Sequence, residues 1–423
     1  CKYFLLPPGQ APSELVYPVW TQDVKRSMQV VDGRYFEITP ISFEFVPTLN
    51  CIHRCHECAY RVPKEAMGLW QHNDFANTFH MDMPTMRRLL DKLKAADINE
   101  VLFTGGGEPL LNRGTPEAMN YATEIGIPRV GLYTNGALIT PASARAVLAA
   151  APAYIRVSLN SGTPGVYRQH HNPLDSAIDY FERTLEGIEF LAKAKQTCGS
   201  KSSLGISYLV DANNVGDVTE AARLVAKTAG RYDGMVNYMR FTPSVNYYGL
   251  KQHRQDMFKA AVARIKNEAV PILKEAGIGA PVYDHRFNGL YEPRTYTQCL
   301  ASGWYGGLGP GGVLYWCCEK LFHPDFSFGS LLDKSLAEVW AGPERRAVAQ
   351  HVSEAVLGGT CSPCPVVCKP HEHNKVFAQV ERLRAAGKIA IVATWLQQIH
   401  ELKRHQLLEP TLFNFNSQCE QQS

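Results

Sequence analysis

The sequence contains no run of about 18 or more apolar residues, the length that a helix needs to cross a membrane. Its first ten residues, CKYFLLPPGQ, also lack the basic region ahead of an apolar block that marks a signal peptide. Long runs of one charge sign are missing too, since 43 Lys and Arg residues nearly balance 40 Asp and Glu residues. We therefore expect a cytoplasmic protein with neither a membrane span nor a nucleic-acid interface.

Cysteine is too sparse for a disulfide scaffold, because twelve thiols are spread over 423 residues. Nine of the twelve nevertheless fall into two groups, one near residue 55 and one between residues 299 and 368. In a reducing compartment, thiolates that are close in sequence indicate metal binding or redox chemistry. With 45% hydrophobic residues, a chain of this length can bury one large core and a smaller satellite domain.

Short apolar runs alternate with amphipathic segments over the first 280 residues. The strand-like runs are 41–46, 100–105, 129–134, 154–159, 204–210 and 235–241. The helical segments are 84–96, 115–126, 140–151, 175–194, 215–230 and about 253–275. Six such units predict an α/β fold with a parallel sheet, a partial (βα)6 barrel whose site lies at the C-terminal ends of the strands. We expect a glycine-rich turn at 305–316, a short helix after 329 and a helical tail over 374–406.

The front cysteines, Cys51, Cys55 and Cys58, lie in the loop after the first predicted strand. A structural zinc site needs four ligands, and no fourth ligand is near. Three thiolates on a cubane iron–sulfur cluster instead leave one iron open to a small molecule. His53 and His56 lie between these cysteines, but loop histidines are usually solvated, so we do not assign them as ligands.

The CxxxCxxC spacing and a second motif, TGGGEPLL at 104–111, resemble the radical S-adenosylmethionine (SAM) enzymes. In that family the glycines and acid matched here by Gly106, Gly107 and Glu108 bind the amino group of SAM. Glycine lets a backbone approach a ligand closely, and a carboxylate can pair with an ammonium group. The resemblance implies a 4Fe–4S cluster on the front cysteines with SAM bound to its open iron.

Further SAM contacts are implied position by position. The turn at 134–136 places Asn135 in the pocket, and Ser158 and Asn160 match the pair that holds the ribose, where an acid is commoner than asparagine. The residue before the third cysteine is usually aromatic and covers adenine, but here it is Glu57. We therefore expect Tyr60 to cover the adenine.

The back cysteines match the auxiliary-cluster (SPASM or twitch) domain of one branch of the family, through Cys299, Gly312 and Cys317. CSPCPVVC departs from the long form, so we expect the short twitch form with one auxiliary 4Fe–4S cluster. Its ligands would be Cys299, Cys317, Cys361 and Cys364. Cys318 or Cys368 could replace one of them, and a structural zinc is the alternative. The expected segments are 1–40 (extension), 41–280 (partial barrel), 281–370 (twitch domain) and 371–423 (helical tail).

The resemblance implies an enzyme that uses a 5′-deoxyadenosyl radical to abstract hydrogen. Only 50 residues precede Cys51, too few for a leader-peptide domain, which favours a small-molecule substrate. The short auxiliary domain resembles those of 1,2-diol dehydratases of aminoglycoside biosynthesis and of aminocyclitol dehydrogenases. We therefore predict radical dehydration at a carbinol carbon of an amino sugar or aminocyclitol. The alternatives are an aminocyclitol dehydrogenase, a maturase of ribosomally made peptides, and a zinc-binding protein without catalysis.

Residues that could contact the substrate are less well defined by sequence. The candidates are Tyr208, Arg240, Asp284, Trp304, Glu319 and His323. Acids, a tyrosine or a histidine could manage the hydroxyl proton, and tryptophan could stack on a sugar ring. Expected partners are a one-electron reductant of the flavodoxin or ferredoxin type and, for the product, a separate NAD(P)H reductase.

Overall fold

A parallel sheet of six strands forms the core of the protein. The computed structural model describes residues 23–56, 58, 60, 80–232, 234–245, 255–357, 364 and 367–404. The six strands are β1 (Ser42–Phe45), β2 (Glu100–Phe103), β3 (Arg129–Thr134), β4 (Tyr154–Ser158), β5 (Ser203–Val210) and β6 (Tyr238–Pro243). They lie side by side in chain order, and every neighbouring pair is parallel. The predicted α/β fold is therefore confirmed.

Helices connect successive strands, as parallel pairing requires. Helix α1 (Val24–Val31) precedes β1. The helices of the barrel are α2 (Met83–Ala95), α3 (Thr115–Glu124), α4 (Pro141–Ala149), α5 (Pro164–His171), α6 (Tyr180–Cys198), α7 (Val218–Arg231), α8 (Gln255–Arg264) and α9 (Val270–Glu275). A π-helical turn, Ile265–Ala269, joins the last two. Two differences from prediction stand out: α5 is an additional helix, and the segment predicted at 175–194 begins later, at Tyr180.

The C-terminal segment extends the same sheet. Strand β7 (Tyr305–Leu308) pairs in parallel with β1, and β8 (Val313–Tyr315) and β9 (Ser327–Ser330) continue outward in antiparallel pairing. The remaining helices are α10 (Asp284–Gly289), α11 (Leu336–Trp340), α12 (Pro343–His351), α13 (His371–Ala385) and α14 (Ile389–Arg404). Because β7 covers the free edge of β1, the back cysteines are brought next to the first strand of the barrel.

The two faces of the sheet differ in polarity. Phe43, Phe45 and Phe103 alternate onto the face that packs against the helices in one large apolar cluster. The opposite face, called here the inner face, carries Glu44 and Arg156, both almost fully buried. Burying charge is costly unless it is compensated, so this face is the place to look for a polar ligand.

A second apolar cluster joins the two ends of the described chain. Helix α1 packs against α13 and α14 through Phe377, Trp395 and Trp304. Trp304 is fully buried there, with its ring centroid 4.8 Å from that of Phe377. Among the described residues, none of the helices combines the length and hydrophobicity that crossing a bilayer requires.

Candidate functional site

The front cysteine loop lies on the C-terminal end of α5. The backbone N–H of Arg54 donates to the carbonyls of His171 (3.1 Å) and Asn172 (3.0 Å). The N–H of Leu174 donates in turn to the carbonyl of Ile52 (2.9 Å). Cys51, Cys55 and Cys58 are partly exposed in this loop. The loop is therefore fixed by backbone hydrogen bonds while its thiols remain accessible.

Histidines surround these thiols, contrary to the expectation that the loop histidines are solvated. His53 is buried, its Nε2 lies 3.2 Å from the hydroxyl of Tyr167, and burial lowers its pKa to about 4. His171 is buried as well: its Nε2–H donates to the carbonyl of Leu159 (3.1 Å), and its Nδ1 lies 3.2 Å from Cys55 Sγ. His171 therefore orients one front thiol, a contact between residues 116 positions apart that sequence reasoning missed.

The glycine-rich loop after β2 packs directly against the backbone that leads into the cysteines. A Cβ on Gly107 would lie 2.0 Å from the carbonyl oxygen of Asn50, and one on Gly106 would lie 2.4 Å from the ring of Phe322. The N–H of Glu108 donates to the same Asn50 carbonyl (2.7 Å). Only glycine permits this approach, so the motif is required by packing as well as by any ligand.

Glu108, in the loop after β2, is buried against the turn that follows β3. Its carboxylate accepts hydrogen bonds from Thr134 Oγ1 (2.7 Å) and from the N–H groups of Asn135 (2.7 Å) and Leu110 (3.1 Å). Burial raises its pKa to about 7, and these hydrogen bonds only partly oppose that shift. The side-chain Nδ2 of Asn135 is buried and has no hydrogen-bond acceptor among the described residues. A buried amide donor and a buried acid beside closely packed glycines fit the carboxylate and ammonium groups of SAM.

The remaining predicted SAM contacts lie at the ends of β4 and beside the cysteine loop. Ser158 is half-buried at the end of β4. Asn160 is buried, with φ at 53°, and its Oδ1 accepts the N–H of Leu209 (2.8 Å). The ring of Tyr60 packs edge-on against Phe322, with centroids 5.6 Å apart, and Glu57 lies outside the described residues.

The back cysteines gather on the other side of β1. Burial, followed by the charges of Cys299 and Cys364, raises the pKa of Cys317. Burial, followed by the charge of the neighbouring Cys364, likewise raises the pKa of Cys368. Asn374 Nδ2 donates to Cys299 Sγ (3.3 Å). The structure thus groups Cys368 with three of the four predicted ligands, while Cys361 lies outside the described residues.

Cys318 borders both this thiol group and the inner face of the sheet. Burial raises the pKa of its thiol, and the next largest effects come from the charges of Glu44 and Glu319. Cys317 also acts on Cys318, and Cys318 acts in turn on Cys368.

The inner face lies between the two cysteine groups and holds charges that sequence reasoning missed. Glu44 lies 3.5 Å from Lys369 Nζ, which is also 4.9 Å from the ring of Tyr305. Burial lowers the pKa of Lys369, but the charges of Glu44 and Cys318 outweigh it, and the pKa is raised. The N–H of Lys369 donates to Glu319 (3.3 Å).

Two arginines complete this face. The guanidinium of Arg156 lies 3.4 Å from the ring centroid of Tyr133. Burial lowers the pKa of Arg156, and the positive charge of Arg240 lowers it further. Charged residues inside the short buried strands SFEF and YIRVS were the sequence feature that could have revealed Glu44 and Arg156.

Of the six predicted substrate residues, the structure places Arg240 on the inner face and Glu319 next to it. Tyr208 projects from the opposite, helix-packed face, where its hydroxyl donates to the carbonyl of Asn214 (2.7 Å). Trp304 is buried in the terminal helix cluster, and Asp284 forms a half-exposed ion pair with Lys266. His323 pairs with Asp325 (3.7 Å) and packs edge-on against Phe326. These four residues are engaged elsewhere, so we no longer assign them to the substrate.

Two family models match the chain. Residues 45–225 match the radical SAM superfamily, and residues 299–379 match SPASM, described as an iron–sulfur cluster-binding domain. Together these matches span both cysteine groups and the glycine-rich loop.

Individual proteins match over different lengths. An AdoMet-dependent heme synthase of Methanosarcina barkeri is 38% identical over 94 residues, 22% of this chain and 26% of that protein. A tungsten-containing aldehyde ferredoxin oxidoreductase cofactor-modifying protein of Pyrococcus furiosus is 24% identical over 343 residues, 75% of this chain and 85% of that protein. The crystal structure of Streptococcus suis SuiB bound to precursor peptide SuiA superposes with a TM-score of 0.55 at 13% identity, covering 82% of this chain and 74% of that one.

Proposed function

Because the chain belongs to the radical SAM superfamily and carries a SPASM iron–sulfur cluster-binding domain, we propose that it removes hydrogen from a hydroxyl-bearing carbon of a small polar molecule, an amino sugar or aminocyclitol. Its cofactors are SAM and 4Fe–4S clusters. We assign one cluster to Cys51, Cys55 and Cys58, and one auxiliary cluster to the back cysteines. When bound, cluster and SAM supply a 5′-deoxyadenosyl radical that takes a hydrogen atom from an unactivated carbon.

The observation that carries the substrate class is the charged inner face of the sheet. The Glu44–Lys369 pair and the stacked Arg156 lie on this face, where Glu44 and Arg156 are buried and the side chain of Lys369 is 35% exposed. Closely spaced acids and bases favour a ligand rich in hydroxyl and amino groups, because an apolar ligand would leave these buried charges uncompensated.

In this proposal Glu44 accepts the proton of the carbinol hydroxyl as the carbonyl forms. Lys369 donates a hydrogen bond to the neighbouring hydroxyl, which leaves with one proton as water. The carbon radical that remains takes up one electron from an external flavodoxin- or ferredoxin-type reductant and one proton. In a dehydrogenase, the substrate radical would instead be oxidised by one electron. No hydroxyl would leave, so no hydrogen-bond donor to a leaving hydroxyl would be needed. The Glu44–Lys369 pairing therefore favours dehydration.

A peptide substrate is the alternative. SuiB is described in complex with its precursor peptide, but at 13% identity its likeness supports the fold alone. The charged inner face favours the small molecule, and the two substrates separate in a single assay.

The test is a turnover assay with cluster-loaded protein under anaerobic conditions. The protein is incubated with SAM, reductant and a pseudodisaccharide such as paromamine carrying deuterium on its carbinol carbons, and products are followed by mass spectrometry. We expect loss of water from the sugar and transfer of deuterium into 5′-deoxyadenosine. Loss of two hydrogens would indicate the dehydrogenase. Modification of peptides with no turnover of amino sugars or aminocyclitols would overturn the proposed substrate class.

A further inference from the structure

Three side chains converge beside the front cysteine loop without belonging to either cysteine group. They are His56 in the loop, His170 in the last turn of α5, and Asp211 directly after β5. His56 Nε2 and His170 Nδ1 each lie 3.3 Å from Asp211 Oδ2. One ligand atom from each residue lies within 4.8 Å of the other two. His170 and Asp211 are at most 1% exposed, so their polar atoms have no access to water.

Hydrogen bonds around the trio hold it in a ligand-like arrangement. Asp211 Oδ1 accepts the N–H groups of Asn213 (2.6 Å) and Asn214 (3.1 Å), which leaves Oδ2 directed at the two imidazoles. The carbonyl of His170 lies 3.2 Å from His56 Nδ1, and since a carbonyl only accepts, this nitrogen carries the proton. A backbone carbonyl on Nδ1 is the usual outer contact of a histidine that binds metal through Nε2.

The contacts inside the trio are poor as hydrogen bonds. Although they lie 3.3 Å apart, His170 Nδ1 and Asp211 Oδ2 do not make a hydrogen bond of acceptable geometry. With its proton on Nδ1, His56 turns the lone pair of Nε2 toward the same oxygen, and the side-chain Nδ2–H of Asn213 donates to that Nε2 (3.4 Å). Lone pairs directed at one point are stabilised when a cation occupies that point.

We propose that His56, His170 and Asp211 bind a divalent transition-metal ion of the zinc type, separate from the iron–sulfur clusters. Ligand atoms about 2.0–2.1 Å from a tetrahedral ion lie about 3.3 Å apart, which is the distance of each histidine nitrogen from Asp211 Oδ2. Two histidines and one carboxylate form a known zinc ligand set, with a fourth position left for water on the exposed side of His56. The ion links the cysteine loop, α5 and the end of β5, and so braces the loop that carries Cys55 and Cys58.

Zinc binding to the full, cluster-loaded protein tests the site independently of turnover. The protein is incubated anaerobically with one equivalent of Zn²⁺, desalted, and examined by elemental analysis and zinc-edge X-ray absorption. We expect about one zinc per chain with nitrogen and oxygen neighbours only, at about 2.0–2.1 Å. A protein that retains no zinc overturns the proposal, and so does zinc with sulfur neighbours at about 2.3 Å, which would place the ion on cysteines.

Asp211→Asn is the variant to compare, because its side-chain oxygen can still accept from Asn213 and Asn214. We expect its zinc content to fall at least ~10-fold, with sulfide content unchanged. His400→Gln, on the exposed face of α14, is the matched control and should retain zinc. Unchanged zinc in Asp211→Asn would also overturn the site. If that variant does not fold, the zinc-edge spectrum of the unaltered protein still tests the site, because it distinguishes nitrogen and oxygen neighbours from sulfur neighbours.

Discussion

Replacing Gly107 by alanine tests how closely the glycine-rich loop packs against the cysteine loop. The added Cβ would lie 2.0 Å from the carbonyl oxygen of Asn50, whereas real Cβ contacts stay beyond 3.0 Å. Asn50 must therefore move by about 1 Å, together with the adjacent Cys51. The move also breaks the hydrogen bond from the N–H of Glu108 to that carbonyl.

The magnitude follows from these two losses. Overpacking costs about 1–3 kcal/mol and a lost hydrogen bond about 1 kcal/mol, so we expect the variant to be about 2–4 kcal/mol less stable. A 1 Å displacement next to reacting groups costs about 10²-fold in turnover, and we expect the SAM-cleavage rate to fall by that order. Gly165→Ala is the matched control, since nothing lies within 4 Å of its Cβ.

Denaturant unfolding under anaerobic conditions measures the first effect, and formation of 5′-deoxyadenosine measures the second. Gly165→Ala should be unchanged or up to about 1 kcal/mol more stable, with normal SAM cleavage. If Gly107→Ala and Gly165→Ala behave alike in both assays, the close approach of the two loops is refuted.

Three further predictions concern single residues. The pKa of Glu108 is about 7 in the folded state, compared with an ordinary value of 4.5. Because the folded state binds this proton more tightly than the unfolded state does, the free energy of unfolding should fall by about 3 kcal/mol as the pH rises from 4.5 to 7. Glu108→Gln should lose that part of the pH dependence in unfolding measured across this range, and an unchanged profile would contradict it. Cys317→Ala should lose about four irons and four sulfides per chain, whereas Cys198→Ala, at an exposed thiol, should lose none. Lys369→Met should still cleave SAM but form at least ~10²-fold less sugar product by mass spectrometry, and undiminished product would exclude its role.

Features set by local sequence were predictable. The six strands begin and end within three residues of the apolar runs that predict them, and Cys51, Cys55 and Cys58 lie in the loop after β1, as the sequence predicts. Helix α5 was missed because PGVYRQHH is short and places histidines rather than aliphatic residues on its buried side.

Features that depend on tertiary contact were not predictable. Lys369 contacts Glu44, which lies 325 positions earlier in the sequence, and His171 contacts Cys55, which lies 116 positions earlier. Tyr208 was placed on the correct strand but the wrong face, because strand side chains alternate and the sequence SLGISYLV does not fix which set faces inward. The same alternation puts Arg240 on the inner face.

We propose that the cluster on Cys51, Cys55 and Cys58 leaves one iron open for SAM. Electron-nuclear double resonance on the reduced cluster, with SAM labelled by ¹⁵N in its amino group, measures whether that amino group binds the iron. We expect a ¹⁵N hyperfine coupling that is absent from Cys55→Ala. A reduced front cluster that shows no such coupling with SAM in excess would contradict it.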